Sequence, residues 1–183
     1  MRLKSLSATA HCFSLFESRE QAVKLIFNIT KQIGVPAMVI GGAALPNYGY
    51  NRSTEDIDLV VTVSDAYKLG DALIASGFQF IGHNKFQHSS GILINLCPTG
   101  TKAGHSVFPF IEDSSPGLRY VSLPRLLAMK ISAKRLKDRG DFGELVKRNK
   151  LSKEYVVNNV LPLLSDIDGK WALELWKQAV SEI

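Results

Sequence analysis

Apolar residues recur at spacings of three and four at Ala22, Ile26, Ile29 and Ile33, predicting an amphipathic helix over Glu17 to Ile33. Gly34 follows as its C-terminal cap and Pro36 prevents continuation. Ala37 to Ile40 reads as a short buried strand, Gly41-Gly42 as a turn, and Ala43 to Tyr48 as a turn or two of helix. Ile57 to Val63, rich in β-branched residues, is the best strand pattern in the chain. Ser64 is the expected cap of the next helix, with Tyr67, Leu69, Leu73 and Ile74 on or near its buried face and Gly77 at its end. Phe78 to Ile81, Lys85 to His88 and Ile92 to Cys97 predict three further strands, and Pro98 to Pro116 a loop. Beyond Ser122 the period becomes helical, over Leu123 to Leu136, Asp141 to Arg148, Ser152 to Leu164 and Lys170 to Ile183. The expected architecture is α/β (α+β): a small mixed-sheet unit over residues 1–118, then a C-terminal helical unit over 119–183 packed on it.

Composition narrows the class. At 183 residues the chain can bury a core unaided, and 45% hydrophobic with 21% charged residues is ordinary globular usage. No apolar run reaches 18 residues, so no membrane-spanning helix is expected. Cys12 and Cys97, far apart and with no CxxC pair, exclude a disulfide scaffold and a zinc ribbon. The first residues carry Arg2, Lys4 and an Ala8-Thr9-Ala10 run resembling a cleavage site. His11 interrupts the apolar stretch and Glu17 to Glu20 already opens a helix, so the expectation is a cytoplasmic protein.

Charge is unevenly distributed. Between Arg119 and Lys153 eleven Lys/Arg stand against three acids, a block of +8 in a chain of net +5, which leaves −3 elsewhere. Such a block either is a solvated helical face or points to an anionic partner, nucleotide phosphates or RNA.

The chemistry is concentrated between Val39 and Val61. Gly41 and Gly42 lie between a strand and a helix start, where backbone N–H groups form an anion site. Asp56 and Asp58 are two apart at a strand start, so their carboxylates share a face. Neighbouring like charges call for compensation, and Mg2+ is the usual source, taking one or two carboxylates plus phosphate oxygens. A glycine turn beside a carboxylate pair is the equipment of phosphoryl or nucleotidyl transfer.

This arrangement, strand, Gly-Gly, helix, Arg52-x-Thr54-x-Asp56-x-Asp58, strand, resembles the minimal nucleotidyltransferases of the DNA polymerase β superfamily, the branch with abortive-infection type IV toxin enzymes. Ile94 to Gly100 resembles the family's later strand and turn. Ser122 to Lys130 and Arg135 to Asp141 resemble its basic helix and the Lys-Asp-x-x-Asp sequel. The resemblance implies an NTP partner with two Mg2+, Gly41 and Gly42 on the β- and γ-phosphates, and Asp56 and Asp58 on the metals. Arg52 and Thr54 stand where the family has its R-x-T. Lys130 and Lys134, one helical turn apart and expected on one face, are candidates to contact phosphate or acceptor. The basic block favours tRNA or another RNA as acceptor, and a toxin would imply an antitoxin partner.

One position departs from the pattern. The third carboxylate is expected on the later strand, where the chain has Asn95. An amide offers a neutral carbonyl oxygen and cannot act as a base. General-base assistance is commonly worth about 10²–10⁴-fold, which leaves three readings open. They are a slow transferase, a nucleotide- or RNA-binding regulatory module without turnover, and a chain altered deliberately at that position. Glu112 or Asp113 could substitute from the following loop.

Elsewhere the signals are structural. His11, His83, His88 and His105 lack zinc-site spacing, Ser53 has no nearby base, and Trp171 and Trp176 read as helix-packing residues rather than a stacking platform.

Overall fold

The computed structural model describes residues 19–100, 102–103, 106–107, 111 and 114–181. Helix α1 (Arg19–Gln32) leads through Gly34, at φ +71°, into β1 (Pro36–Ile40). A 3-10 helix (Gly41–Tyr48) follows, then β2 (Asp56–Val61), α2 (Val63–Ala75), β3 (Phe78–Gly82), β4 (Lys85–His88) and β5 (Leu93–Pro98). Two short strands, β6 (Lys102–Ala103) and β7 (Ser106–Val107), form a separate ribbon before β8 (Gly117–Tyr120). The helical part comprises α3 (Leu123–Ala133), α4 (Leu136–Arg148), α5 (Lys153–Tyr155) and α6 (Asp166–Ser181).

The main sheet has the order β3-β4-β5-β2-β1-β8. Its centre sets the site. β2 runs antiparallel to β1, with Asp58 opposite Ile40, and parallel to β5, with Asp58 opposite Asn95. Ile57, Leu59 and Val61 turn to one face of β2 and are buried, while Asp56 and Asp58 turn to the other. Alternation therefore fixes which face carries the acids, and register fixes what they meet.

Several expected elements shift. Thr62, not Ser64, caps α2: its Oγ1 accepts from the Asp65 N–H at 3.1 Å. Leu69 and Leu73 are buried as expected, but Tyr67 is 77% exposed and Ile74 half-exposed, because α2 presents a narrower stripe to the sheet. The stretch read as loop, Pro98 to Pro116, contains β6 and β7, and it is followed by β8, which pairs in parallel with β1 and spans the expected 118/119 boundary. Its Arg119 and Tyr120 are exposed, which hides the alternation that marks a strand. The single helix expected over Ser152 to Leu164 is instead α5, a π turn (Val156–Val160) and a 3-10 turn (Leu161–Leu163), with Pro162 unable to donate to an α-helical ladder.

Sheet and helices share one buried cluster, in which Ile40, Leu45, Val60 and Ile94 join Leu126, Ile131, Phe142 and Leu145. Polar ties reinforce it at the 3-10 helix. Tyr48 Oη donates to the Val121 carbonyl at 2.5 Å, Asn149 Nδ2 to the Tyr48 carbonyl at 3.1 Å, and Arg148 Nη1 to the Gly49 carbonyl at 3.1 Å. No helix among the described residues is long and apolar enough to cross a membrane.

Candidate active site

The two glycines after β1 are required by what lies beside them. Gly41 has φ +66°, and a Cβ there would sit 2.6 Å from Asp58 Oδ2. A Cβ on Gly42 would sit 2.8 Å from Thr54 Oγ1. Bare backbone at both positions lets the acidic strand and the segment before it close against the turn. Thr54 Oγ1 in turn donates to Asp56 Oδ1 at 3.3 Å.

Asn95 stands between the two acids. Its Nδ2 donates to Asp56 Oδ2 at 2.9 Å and to Asp58 Oδ1 at 2.8 Å. Two anionic acceptors dictate this amide orientation, since the reverse would point a carbonyl oxygen at both. The hydrogen bonds draw the pair together without neutralising it. Burial pushes the Asp58 carboxyl above its ordinary range; the Asn95 hydrogen bond opposes this and the Asp56 charge adds to it. No described cation forms an ion pair with either acid. Cys97, two residues along β5, is pushed up to about 12 by burial and by the charges of Asp58 and Asp56, so it stays an unreactive thiol.

This donor set fits one Mg2+ that arrives with phosphate oxygens. Two adjacent carboxylates lack a cation, and the Asn95 carbonyl could turn inward once a cation is present. No group of three His, Cys, Asp or Glu that could hold a metal occurs among the described residues. Glu112 and Asp113, the suggested substitutes, lie outside the described residues, as do His11, His105 and Cys12.

The expected phosphate contacts Arg52, Lys130 and Lys134 are engaged elsewhere. Arg52 forms a two-pronged pair with Asp141 (Nε–Oδ1 2.7 Å, Nη2–Oδ2 2.9 Å), and its Nη1 donates to the Ser53 carbonyl. Lys130 is 4% exposed, with Nζ 2.6 Å from Asp141 Oδ2 and 2.9 Å from Asp138 Oδ1. Arg135 completes the chain on Asp138 through Nε at 2.5 Å and Nη2 at 3.3 Å. Burial pushes both aspartates up, but their arginine and lysine partners outweigh it and hold them below the ordinary range. Lys134 does not share a face with Lys130. It ends α3 in the left-handed region at φ +57°, and its Nζ lies 3.3 Å from Asp168. Lys130, Asp138 and Asp141 were all legible as motif residues, whereas their pairing across a helix break was not.

The remaining candidates are structural. His83 and Asn84, both at positive φ, make the two-residue β3–β4 turn. His88 is buried against Phe78, with ring centroids 5.2 Å apart, and bonded to Ser90. Trp176 Nε1 donates to the Leu151 carbonyl at 2.8 Å, and Trp171 lies under the Arg139 guanidinium at 4.5 Å. A cleft of about 700 Å3 adjoins the segment before Asp56, walled by Val23, Pro46, Asn51, Arg52, Ser53 and Tyr120; neither carboxylate lines it.

No protein-family model matches the sequence, and no curated protein matches it. Among solved structures, the solution structure of the antibiotic-resistance factor ANT(2'')-Ia superposes with a TM-score of 0.56 at 14% identity, covering 79% of this chain and 92% of that one. A crystal structure of ANT(2'')-Ia in complex with adenylyl-2''-tobramycin matches at 13% identity and TM-score 0.47, covering 88% and 98%. At such identities the likeness is one of fold, and the fold is that of a nucleotidyltransferase, as the sequence led us to expect.

Proposed function

We propose that this chain is a Mg2+-dependent nucleotidyltransferase that moves an NMP from an NTP to an acceptor hydroxyl, and that Asn95 makes it a slow one. The observation that carries the reading is the carboxylate pair. Asp56 and Asp58 lie together on one strand face, without a cation, against a turn whose glycines are needed for that approach, in a nucleotidyltransferase fold.

In the reaction the acceptor oxygen forms a bond to the α-phosphorus, the bond to the bridging oxygen breaks, and pyrophosphate leaves with the electron pair. Mg2+ held by Asp56 and Asp58 would neutralise the phosphates and polarise the reacting group. The chain's own part is to hold two carboxylates at fixed spacing, by the β2–β5 register and the Asn95 hydrogen bonds, and to bring bare backbone N–H groups of Gly41 and Gly42 to their side. Asn95 takes no proton, so the proton of the acceptor hydroxyl leaves to water.

For the acceptor we propose an RNA hydroxyl, reached through the exposed lysines of the basic segment. Much of that segment is engaged internally, at Lys130, Lys134, Arg135, Arg139 and Arg148, while Lys137, Lys150 and Lys153 are exposed. A small alcohol seated in the cleft beside Arg52 and Ser53 is the competing acceptor. A second reading, nucleotide binding without turnover, is favoured by the Asn95 amide joining both acids where the family pattern has a third carboxylate.

Transfer of label from each α-labelled NTP, with Mg2+, into RNA or small alcohols tests these readings, with Asp56→Ala as the blank. Label absent from the blank establishes the enzyme and names the acceptor. Nucleotide binding with no label from the natural chain establishes the non-catalytic reading, and absence of both binding and label overturns the nucleotide assignment.

A further inference from the structure

The cleft of about 700 Å3 beside Arg52 and Ser53 does not stand alone. A second cleft of about 430 Å3 adjoins it, and Val23, Lys24 and Tyr120 stand in the walls of both. Together they make a trough along α1, with β8, the outermost strand of the sheet, on its other side. Helical spacing puts Val23 and Phe27 on one face of α1, and alternation puts Leu118 and Tyr120 on one face of β8; all four line the second cleft. Two aromatic rings therefore stand open in the trough, Tyr120 at 39% exposure and Phe27 at 45%.

The polar groups of this wall are not used by the fold. The side chains of Glu20, Lys24, Asn47 and Asn51 and the Tyr120 hydroxyl make no hydrogen bond or ion pair among the described residues. The trough also reaches the carboxylate pair along the chain. Ala43, in its wall, follows Gly42 directly, and Ser53 comes three residues before Asp56, a chain length of at most about 11 Å.

These groups suit one kind of occupant. Amides offer donor and acceptor together, as the edge of an unpaired base requires. Glu20 only accepts and suits an exocyclic amine, whereas Lys24, one turn later on α1, suits a phosphodiester. Aromatic rings beside such groups hold unpaired nucleic acid by stacking, one base to a ring. Both clefts fall within the range of about 300–1,000 Å3 usual for small ligands. Two rings in two joined clefts provide for two successive bases, and an NTP brings only one.

We propose that this trough binds an unpaired stretch of the RNA acceptor, with successive bases stacked on Tyr120 and Phe27 and a phosphodiester at Lys24. The proposal rests on the transferase reading above and deepens it by naming where the acceptor is held.

The test is fluorescence anisotropy with a labelled, unpaired RNA hexanucleotide and with a blunt RNA duplex, alongside calorimetric titration with Mg2+-ATP. The natural chain is compared with Tyr120→Ala, Tyr120→Phe, Phe27→Ala and Lys24→Gln, each shown to be folded by circular dichroism. Tyr120→Ala and Phe27→Ala should each weaken hexanucleotide binding about 5- to 100-fold, as loss of one stacked base gives. Tyr120→Phe should keep most of the affinity. Lys24→Gln should reduce the slope of log affinity against log salt by about 0.7, the share of one phosphate on a single strand. The duplex should bind more weakly, and Mg2+-ATP affinity should stay unchanged throughout. Hexanucleotide binding that is equal in the natural chain and both alanine variants overturns the proposal, as does a duplex bound as tightly as the single strand. If the natural chain binds Mg2+-ATP but no RNA, or the alanine variants lose Mg2+-ATP instead of RNA, the proposal fails and the nucleotide reading stands. RNA held in the trough with no binding of Mg2+-ATP overturns the transferase reading and leaves the trough as an RNA site.

Discussion

This molecule has two pairs of aspartates, and they are built on opposite plans. Asp138 and Asp141 are buried among Lys130, Arg135 and Arg52, and their carboxyls titrate below the ordinary range. Asp56 and Asp58 have only a neutral amide between them, and Asp58 titrates above it. The first cluster is complete in itself and ties the helical part to the segment before β2. The second has no such built-in ion pair among the described residues. Residue type does not separate scaffold from site, since aspartates do both; the presence or absence of built-in countercharge does.

Changing the incomplete cluster should produce the largest effect. Asn95→Asp supplies the third carboxylate opposite Asp58 and is expected to raise nucleotidyl transfer about 10²–10⁴-fold, read as label transferred per hour. It should also lower the stability of the metal-free chain, because a third anion then joins two. No gain in transfer by Asn95→Asp would mean that the strand position is not what limits the chemistry.

Changing the complete cluster should act on stability instead. Lys130→Met leaves Asp138 and Asp141 buried with one cation fewer, and breaking a buried pair in this way costs about 3–5 kcal/mol, or about 10 °C in Tm for a chain of this size. Denaturant unfolding followed by circular dichroism reads this directly. A change below about 1 kcal/mol would show that the network is not scaffold.

Gly41→Ala touches the boundary between the two plans. The left-handed backbone costs an alanine about 1–2 kcal/mol, and the new Cβ collides with Asp58 Oδ2. The expected outcome is a modest fall in Tm with a 10- to 100-fold loss of Mg2+-nucleotide affinity, the range seen when support of a metal ligand is disturbed. Acidification should separate the clusters more gently. Asp138 and Asp141 have depressed folded pKa values, so the stability they contribute is complete at neutral pH and is lost only as pH falls below about 4, through those values. Asp58 is raised, so it takes up its proton first. Nucleotide binding should therefore fail at a higher pH than the fold does, when calorimetry and circular dichroism are run on the same samples.

The contrast also explains what the sequence could tell. Gly41, Gly42, Asp56 and Asp58 lie within one local pattern, and Asn95 was found because a β-rich run of the right length follows at the expected place. Arg52, Lys130 and Lys134 were recognisable as motif positions but not in their roles, since the partner that engages Arg52 is 89 residues away and Lys130 faces across a helix break. Arg135 was legible as the first residue of the motif segment that ends at Asp141, but not as the partner of a buried Asp138. β8 was missed because half of its residues are exposed and its pairing with β1 is entirely non-local. Local chemistry is written in spacing; countercharge is written in the fold.

The most direct test of the division between site and scaffold is Asp58→Asn, compared with the natural chain by thermal unfolding with and without Mg2+ and ATP. Because burial and Asp56 disfavour the ionised Asp58, the neutral amide should leave the ligand-free Tm equal or raise it. It should also abolish the rise that Mg2+-ATP gives the natural chain, worth about 2.7 kcal/mol at a hundred times Kd. A fall in the ligand-free Tm comparable to that of Lys130→Met, with the ligand-induced rise intact, would contradict it and make Asp58 part of the scaffold.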